Sequence, residues 1–362
     1  MQGYFEIITD HDLAQAQALL AASGLSLPAG RTYGLGFYED GHLAACGFLA
    51  GTVLCGICVA AHAREGGLAT SILSRLVLHG RQEGASHFFI FTKASEAQKF
   101  VASGFDLVAS TQDAALLEQG RPNYADWLAA TRDALRHHGW EPAAADAPPA
   151  TGLSSPARLG AIVMNANPFT RGHEYLARTA AAACEKLLVF VVEEDVSVFP
   201  FAVRLDLVRK GLADVDNILV LPAGPYMVSR ASFPAYFTAD ARVGAVHAAL
   251  DCAIFATRIA KDLGINTRFV GTEPLDPVTA AYNAAMAAVF EKYGIELREI
   301  PRLQTDGQAI SASKVRALFR GDVSGAAWQE MAQLLPPVTL DFLRSADSAQ
   351  IRQKLRDHAG RH

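Results

Sequence analysis

The 362-residue sequence has no surplus of basic charge: 32 Lys and Arg stand against 37 Asp and Glu, a net charge of −5. Without a basic stripe there is no footprint for nucleic acid, so small molecules or proteins are the expected partners. Cysteines are few. Cys46, Cys55, Cys58, Cys184 and Cys252 are irregularly spaced, which argues against a disulfide framework and for reduced thiols. Cys55 and Cys58 form a lone C-x-x-C with no second pair at metal-ligand spacing, and read as small buried residues. The opening "MQGYFEIITDHDLAQ" lacks a basic start leading into an apolar core, so no signal peptide and a cytoplasmic location are expected. Charge is missing from one run long enough for a bilayer, Leu43 to Ala61. Gly47, Gly51, Gly56 and a central Gly-Thr break it, and two buried strands joined by a tight turn fit it better than a membrane span.

What is present is length and apolar content enough for two cores. Composition shifts at "EPAAADAPPATGLSSPAR", Glu141 to Arg158, which has no apolar period and reads as a linker. The expected organisation is a first domain over 1–140, a linker over 141–157, a second domain over 158–345 and a tail over 346–362. Before the linker the sequence gives strands at "RTYGLGFYED", "GHLAACGFLAG" and "TVLCGICV", a helix at "LATSILSRLVLHGRQEG", a strand at "HFFIFTK" and a helix-to-strand turn at "EAQKFVASGFDLVA". After it, strands ("LGAIVMNA", "KLLVFVVEE", "NILVLPA", "TRFVGT", "ELREIPR") alternate with helices, one of them long, near 240–263. Such alternation predicts an α/β, Rossmann-like domain with a mostly parallel sheet covered on both faces.

In the stretch "NANPFTRGHEYL" an apolar strand gives way to a helix, the turn whose amides point out from the C-terminal edge of such a sheet and receive phosphate. Asn167-Pro168 makes the turn and Gly172 leaves room for phosphate. Thr170 and His173, at i and i+3, can project together and donate to polyphosphate oxygens. The stretch resembles the T/H-x-G-H signature of the nucleotidylyltransferase superfamily. "ISASKVR", Ile310 to Arg316, resembles that superfamily's I-S-S/T-x-x-R block: Ser311 and Ser313 would cap a helix and bind phosphate, and Lys314 and Arg316 would neutralise leaving pyrophosphate. Arg204 in "FPFAVR" is a candidate phosphate or carboxylate ligand. Glu193, Glu194 and Asp195 are candidates for Mg²⁺ or ribose, and Ser229, Arg230 and Ser232 for a substrate wall.

In the first domain, Arg64, Gly67 and Ala69 in "AAHAREGGLA" resemble motif A, R-x-x-G-x-G/A, of the GNAT acetyltransferase fold. There, successive amides at a helix start receive the pyrophosphate of coenzyme A. Gly66 belongs to the same loop. No general base stands out, His62 and His79 being candidates by residue type alone, so binding of a CoA-like group without acetyl transfer in this domain stays open.

A GNAT-like α+β domain followed by a T-x-G-H domain is similar to the arrangement of the citrate (pro-3S)-lyase ligase family, and "VSVFPFAVR", "VSRASFPAYF", "GTEPLDPVTAAYN" and "ISASKVRALF" resemble its blocks. That resemblance implies an enzyme that uses ATP, with Mg²⁺, and acetate to acetylate the thiol of the phosphoribosyl-dephospho-CoA group on the citrate lyase acyl carrier subunit, releasing AMP and pyrophosphate. It implies ATP contacts from Asn165, Asn167, Phe169, Thr170, Gly172, His173, Gly271, Ser311, Ser313 and Arg316, with Thr170, His173, Lys314 and Arg316 catalytic. No residue reports acetate specificity. Two other readings stay open: a nucleotidylyltransferase with a phosphate acceptor in coenzyme biosynthesis, and an acetyltransferase whose larger domain senses nucleotide.

Overall fold

The computed structural model describes residues 2–141, 157–193, 197–227, 243–272, 277–305, 307–321 and 324–357. Glu194, Asp195, Ser229, Arg230, Ser232 and most of the expected linker lie outside the described residues. Along the chain come β1 (Gly3–Glu6), α1 (Asp10–Ala21), β2 (Tyr33–Glu39), β3 (His42–Ala50), β4 (Val53–Val59), α2 (Leu68–Gln82), β5 (His87–Lys93), α3 (Ala97–Val101), β6 (Asp106–Ser110), β7 (Ala114–Gly120) and α4 (Tyr124–His137). Then follow β8 (Ala157–Met164), α5 (Arg171–Ala182), β9 (Cys184–Val191), α6 (Phe201–Gly211), β10 (Ile218–Pro222) and α7 (Val243–Ile254). A π-helical stretch, Phe255–Ala260, leads to α8 (Lys261–Leu263), β11 (Thr267–Gly271), α9 (Pro277–Lys292), β12 (Glu296–Ile300), α10 (Ala312–Arg320), α11 (Gly325–Leu334), α12 (Pro337–Arg344) and α13 (Ala349–Asp357).

The chain forms two compact units: Met1–Ala130 with Phe233–Ile254, and Thr131–Ser232 with Phe255–His362. The first is built on a seven-stranded sheet ordered β1-β2-β3-β4-β5-β7-β6. The uncharged run from Leu43 is the antiparallel pair β3 and β4, with Ala50 opposite Val53 across the Gly-Thr turn. Among the described residues no helix is long and apolar enough to cross a membrane. Helix α2 lies close on this sheet because glycine leaves the space: a Cβ at Gly47 would meet Ile72 Cγ2 at 2.6 Å. The β3 and β4 ladder shifts between Cys46 and Phe48, a bulge opposite Gly56 and Ile57. Beyond it β4 leaves its parallel neighbour: β4 and β5 pair only at Val53 with Phe89 and Leu54 with Ile90, then fork. This is the GNAT-like α+β fold expected of the first domain. One element departs from expectation. The helix expected to serve the second domain begins as α7, apolar apart from His247 and Asp251, and α7 packs against β6 and β7 of the first unit.

The second unit carries a five-stranded, all-parallel sheet ordered β10-β9-β8-β11-β12, the doubly wound order in which direction reverses between β8 and β11. Its core runs along both faces and includes Phe169, Phe190 and Phe269, each fully buried and each worth about 1.5–3 kcal/mol by transfer from water. The β8 and β9 ladder continues to Met164 opposite Val191, and β11 and β12 to Gly271 opposite Ile300. The β8 and β11 ladder stops at Ala161 opposite Arg268, so the sheet opens at its C-terminal edge where the order reverses. Helices α10 to α13 pack together beside it around Phe319, Met331, Leu334, Leu343, Ile351 and Leu355.

Candidate active site

The strand β8 ends at this opening and passes through Asn165 to Phe169 into α5. Thr170 is the N-cap of α5 and closes a capping box with His173: the His173 N–H donates to Thr170 Oγ1 at 3.4 Å, and the Thr170 N–H donates to His173 Nδ1 at 3.1 Å. Accepting from a backbone N–H requires a lone pair on Nδ1, so the ring proton of a neutral imidazole sits on Nε2. Burial, and after it the nearby charge of Arg302, lower the His173 pKa from 6.5 to about 4. At neutral pH His173 is therefore an uncharged donor of fixed tautomer at the mouth of an α-helix.

The second motif meets this turn. Ser311 caps α10 by accepting from the Lys314 N–H at 3.2 Å, and a Cβ on Gly172 would stand 3.4 Å from the Ile310 carbonyl oxygen. Arg316 donates through Nη1 to the Asn167 carbonyl at 2.6 Å and through Nη2 to Ser313 Oγ at 2.9 Å. Two helix N-termini, each with orphan amides and a positive dipole end, thus share one rim. Burial lowers the Arg316 pKa from its usual value. Lys314 projects to Glu330 of α11 at 2.8 Å, both side chains well exposed.

Four expected contacts are corrected by this geometry. Thr170 is 1% exposed and its hydroxyl lies 2.9 Å from His173 Nδ1, so it positions the imidazole and does not project beside it. Phe169 is a core residue, its ring near-parallel to that of His173 at 6.1 Å. Gly172 faces Ile310 and not an open phosphate channel. Arg204 is fully buried: Nε donates to the Phe199 carbonyl, and Nη1 to the Asn165 carbonyl, Asn165 Oδ1 and the Val192 carbonyl at 2.6, 2.8 and 2.8 Å. It is the brace that ties the end of β8 to β9 and α6. Asn167 Oδ1 is likewise spent on the Phe199 N–H, and Glu193 Oε1 on the Gly224 N–H. Sequence reasoning missed Arg302, which follows β12 beside Gly271, its Nε 4.0 Å from where a Gly271 Cβ would be. Its position just past the C-terminal end of a parallel strand was the available signal. Among the described residues no cluster of three His, Cys, Asp or Glu side chains is placed to hold a metal ion.

Residues 159–343 match the family described as the citrate lyase ligase C-terminal domain. The chain is also 37% identical to the citrate (pro-3S)-lyase ligase of Klebsiella pneumoniae over 83% of each chain. The chain belongs to the citrate lyase ligase family. The ligase of Escherichia coli K12 is 36% identical over 87% of each chain. Among solved structures, an acetyltransferase of the GNAT family from Staphylococcus aureus aligns with 33% of this chain and 99% of that one at 8% identity and a TM-score of 0.30. That likeness is too distant to carry an argument, and the fold of the ligase's first unit rests on its own topology.

In that unit, Arg64 to Ala69 form the turn into α2. Gly67 is the N-cap with φ +67°, a left-handed conformation costly for other residues, and α2 has no side-chain cap, so its first amides are left to solvent or a ligand. Arg64, Gly66, Gly67 and Ala69 are all exposed there. His62 stands exposed 3.7 Å from Glu39, and His79 is stacked on Tyr33 with ring centroids 3.6 Å apart.

Proposed function

We propose that this ligase couples ATP cleavage to acetylation of the CoA-like thiol on the citrate lyase acyl carrier subunit, through an acetyl-adenylate. The observation that carries the reading is the meeting of two motifs 149 residues apart, with Arg316 donating to the Asn167 carbonyl, on the open edge of a doubly wound sheet. Mg·ATP enters as substrate, its cation carried on the phosphates. An acetate oxygen attacks the α-phosphorus, the bond to the bridging β-oxygen breaks, and pyrophosphate leaves with that electron pair. His173 donates from Nε2 to a non-bridging α-phosphate oxygen as charge builds there, joined by the first amides of α5. The start of α10, with Ser311, Ser313 and Arg316, receives the departing pyrophosphate, and Lys314 joins it by exchanging its exposed partner Glu330 for phosphate. Gly271 and Asn165 border the nucleotide. The thiol sulfur then attacks the acetyl carbonyl, AMP departs, and the thiol proton passes to solvent.

The first unit presents the acceptor: amides from Gly66 to Ala69, with Arg64, hold the pyrophosphate of the prosthetic group, and the fork between β4 and β5 takes its arm. Neither His62 nor His79 is needed, because the acyl donor is the adenylate. The deciding experiment is acetate-dependent exchange of labelled pyrophosphate into ATP, in wild type and His173→Ala. Exchange that requires acetate and collapses in the variant supports the reading. A dinucleotide product in place of AMP would move the phosphate-acceptor enzyme ahead, and acetyl-CoA consumption without ATP cleavage the nucleotide-sensing acetyltransferase.

A further inference from the structure

The helical layer of the second unit contains a cavity that the proposed reaction does not use. Its volume is about 350 Å³, its apolar lining is Phe319, Trp328 and Leu343, and its charged lining is Arg344, Arg352 and Arg356. No Asp or Glu lines it, and no described carboxylate forms an ion pair with any of the three arginines. In a chain with a net charge of −5, three guanidinium groups around one hollow are a strong local excess of positive charge.

A bland role accounts for part of this. Arg352 donates to the Phe319 and Gly321 carbonyls at 3.1 and 2.8 Å, and Arg356 to the Arg320 carbonyl at 3.4 Å, closing the C-terminal end of α10, where positive charge is favoured. That role uses Nε and one Nη of Arg352 and only Nε of Arg356. It explains neither the hollow nor Arg344, which lies 5.2 Å over the Trp328 ring and, among the described residues, has no hydrogen-bond partner. Guanidinium forks match phosphate oxygens in pairs, and an indole beside them gives an apolar or aromatic group a surface. The volume is at the lower end of that of small-molecule sites. Helix α10 is about 13 Å long, which separates the hollow from the rim at Ser311.

We propose that this cavity binds a phosphate monoester carried on an apolar or aromatic group, of the size of a nucleoside monophosphate. Arg344 and the Nη groups of Arg356 receive the phosphate, and Trp328 and Phe319 the attached group. Nothing in this proposal depends on the acetyl-adenylate reading.

The test uses the full chain with Trp127→Phe and Trp140→Phe, which leaves Trp328 as the reporter of the three tryptophans. AMP, inorganic phosphate and adenosine are titrated while emission is followed. AMP is expected to change Trp328 emission saturably, phosphate to compete with it more weakly, and adenosine to have no effect at equal concentration. Arg344→Gln, at a side chain holding no structural bond, is expected to weaken AMP about tenfold, and Arg344→Gln with Arg356→Gln about a hundredfold, with far-UV dichroism unchanged. His173→Ala is expected to leave the titration intact. The proposal is overturned if neither AMP nor phosphate alters Trp328 emission, if adenosine acts as well as AMP, or if the response survives Arg344→Gln unchanged.

Discussion

The neutrality of His173 makes a quantitative prediction about stability. Its pKa is 6.5 when unfolded and about 4 when folded, so the unfolded chain takes up the proton first. The stability linked to this group is fully present above pH 6.5 and is lost as pH falls from there towards 4. Integrated over pH, the destabilisation amounts to about 0.1 logarithmic units of the unfolding constant at pH 7 and about 1.5 at pH 5, which at about 1.36 kcal/mol per unit is a loss of about 2 kcal/mol between the two. His173→Asn is the perturbation: Asn places a carbonyl oxygen where Nδ1 accepts the Thr170 N–H and cannot titrate. In a Trp127→Phe background, fluorescence of Trp140 and Trp328 reports urea unfolding of the second unit at pH 7 and pH 5. Wild type should lose about 2 kcal/mol more than His173→Asn over that interval, all other titrations being common to both. Equal losses would refute an imidazole held neutral by a depressed pKa in the folded state.

Other perturbations separate positioning from contact. His173→Asn, lacking the Nε2 donor, should lower kcat for pyrophosphate exchange about 10²–10³-fold with an unchanged Tm at pH 8, read by exchange assay and calorimetry. Thr170→Val should lower Tm by about 2–4 °C through loss of the cap, and lower kcat as the ring loses its second anchor, with KM for ATP nearly constant. Arg204→Lys, which cannot reproduce four bonds from a buried fork, should cost about 3–5 kcal/mol in denaturant unfolding whether or not ATP is present. Gly67→Val, which forces a β-branched side chain into φ +67° and so displaces the amides at the start of α2, should raise the Kd for dephospho-CoA by calorimetry and leave exchange of pyrophosphate unaffected.

Much of the fold was legible because periodicity and turn chemistry are local. The five parallel strands, the start of α5 at its Thr cap and the break at Gly51 follow from residues adjacent in sequence. Partner choice is not local. Helix α7, "VGAVHAALDCAI", is apolar but for His247 and Asp251, which announces burial and says nothing of which sheet receives it, and it went to β6 and β7. The opening residues, to which no element was assigned ahead of "RTYGLGFYED", form β1 and α1, whose cap Thr9 closes a box with Asp12. The site shows the same division. The motifs identify His173 and Ser311, but a motif states which residue types occur and not where their donors point. Arg204 was read as a ligand because an arginine after a strand end is chemically suited to one, and only the fold shows its donors already spent. Arg302 was passed over because its neighbours Gly271 and His173 come from other elements, β11 and α5.

Both sheets share a feature with a consequence for how the protein survives in a crowded solution. In each, two parallel neighbours, β4 with β5 and β8 with β11, pair for two residues and then part. A strand margin without a partner is normally an invitation to another chain, and proteins blunt such margins with charge, proline or cover. Here the margins are interior to the sheet, each flanked by further strands, so a second protein molecule cannot align along them. Unpaired backbone is exposed there without an adhesive border, and the order of strands, more than any side chain, secures it.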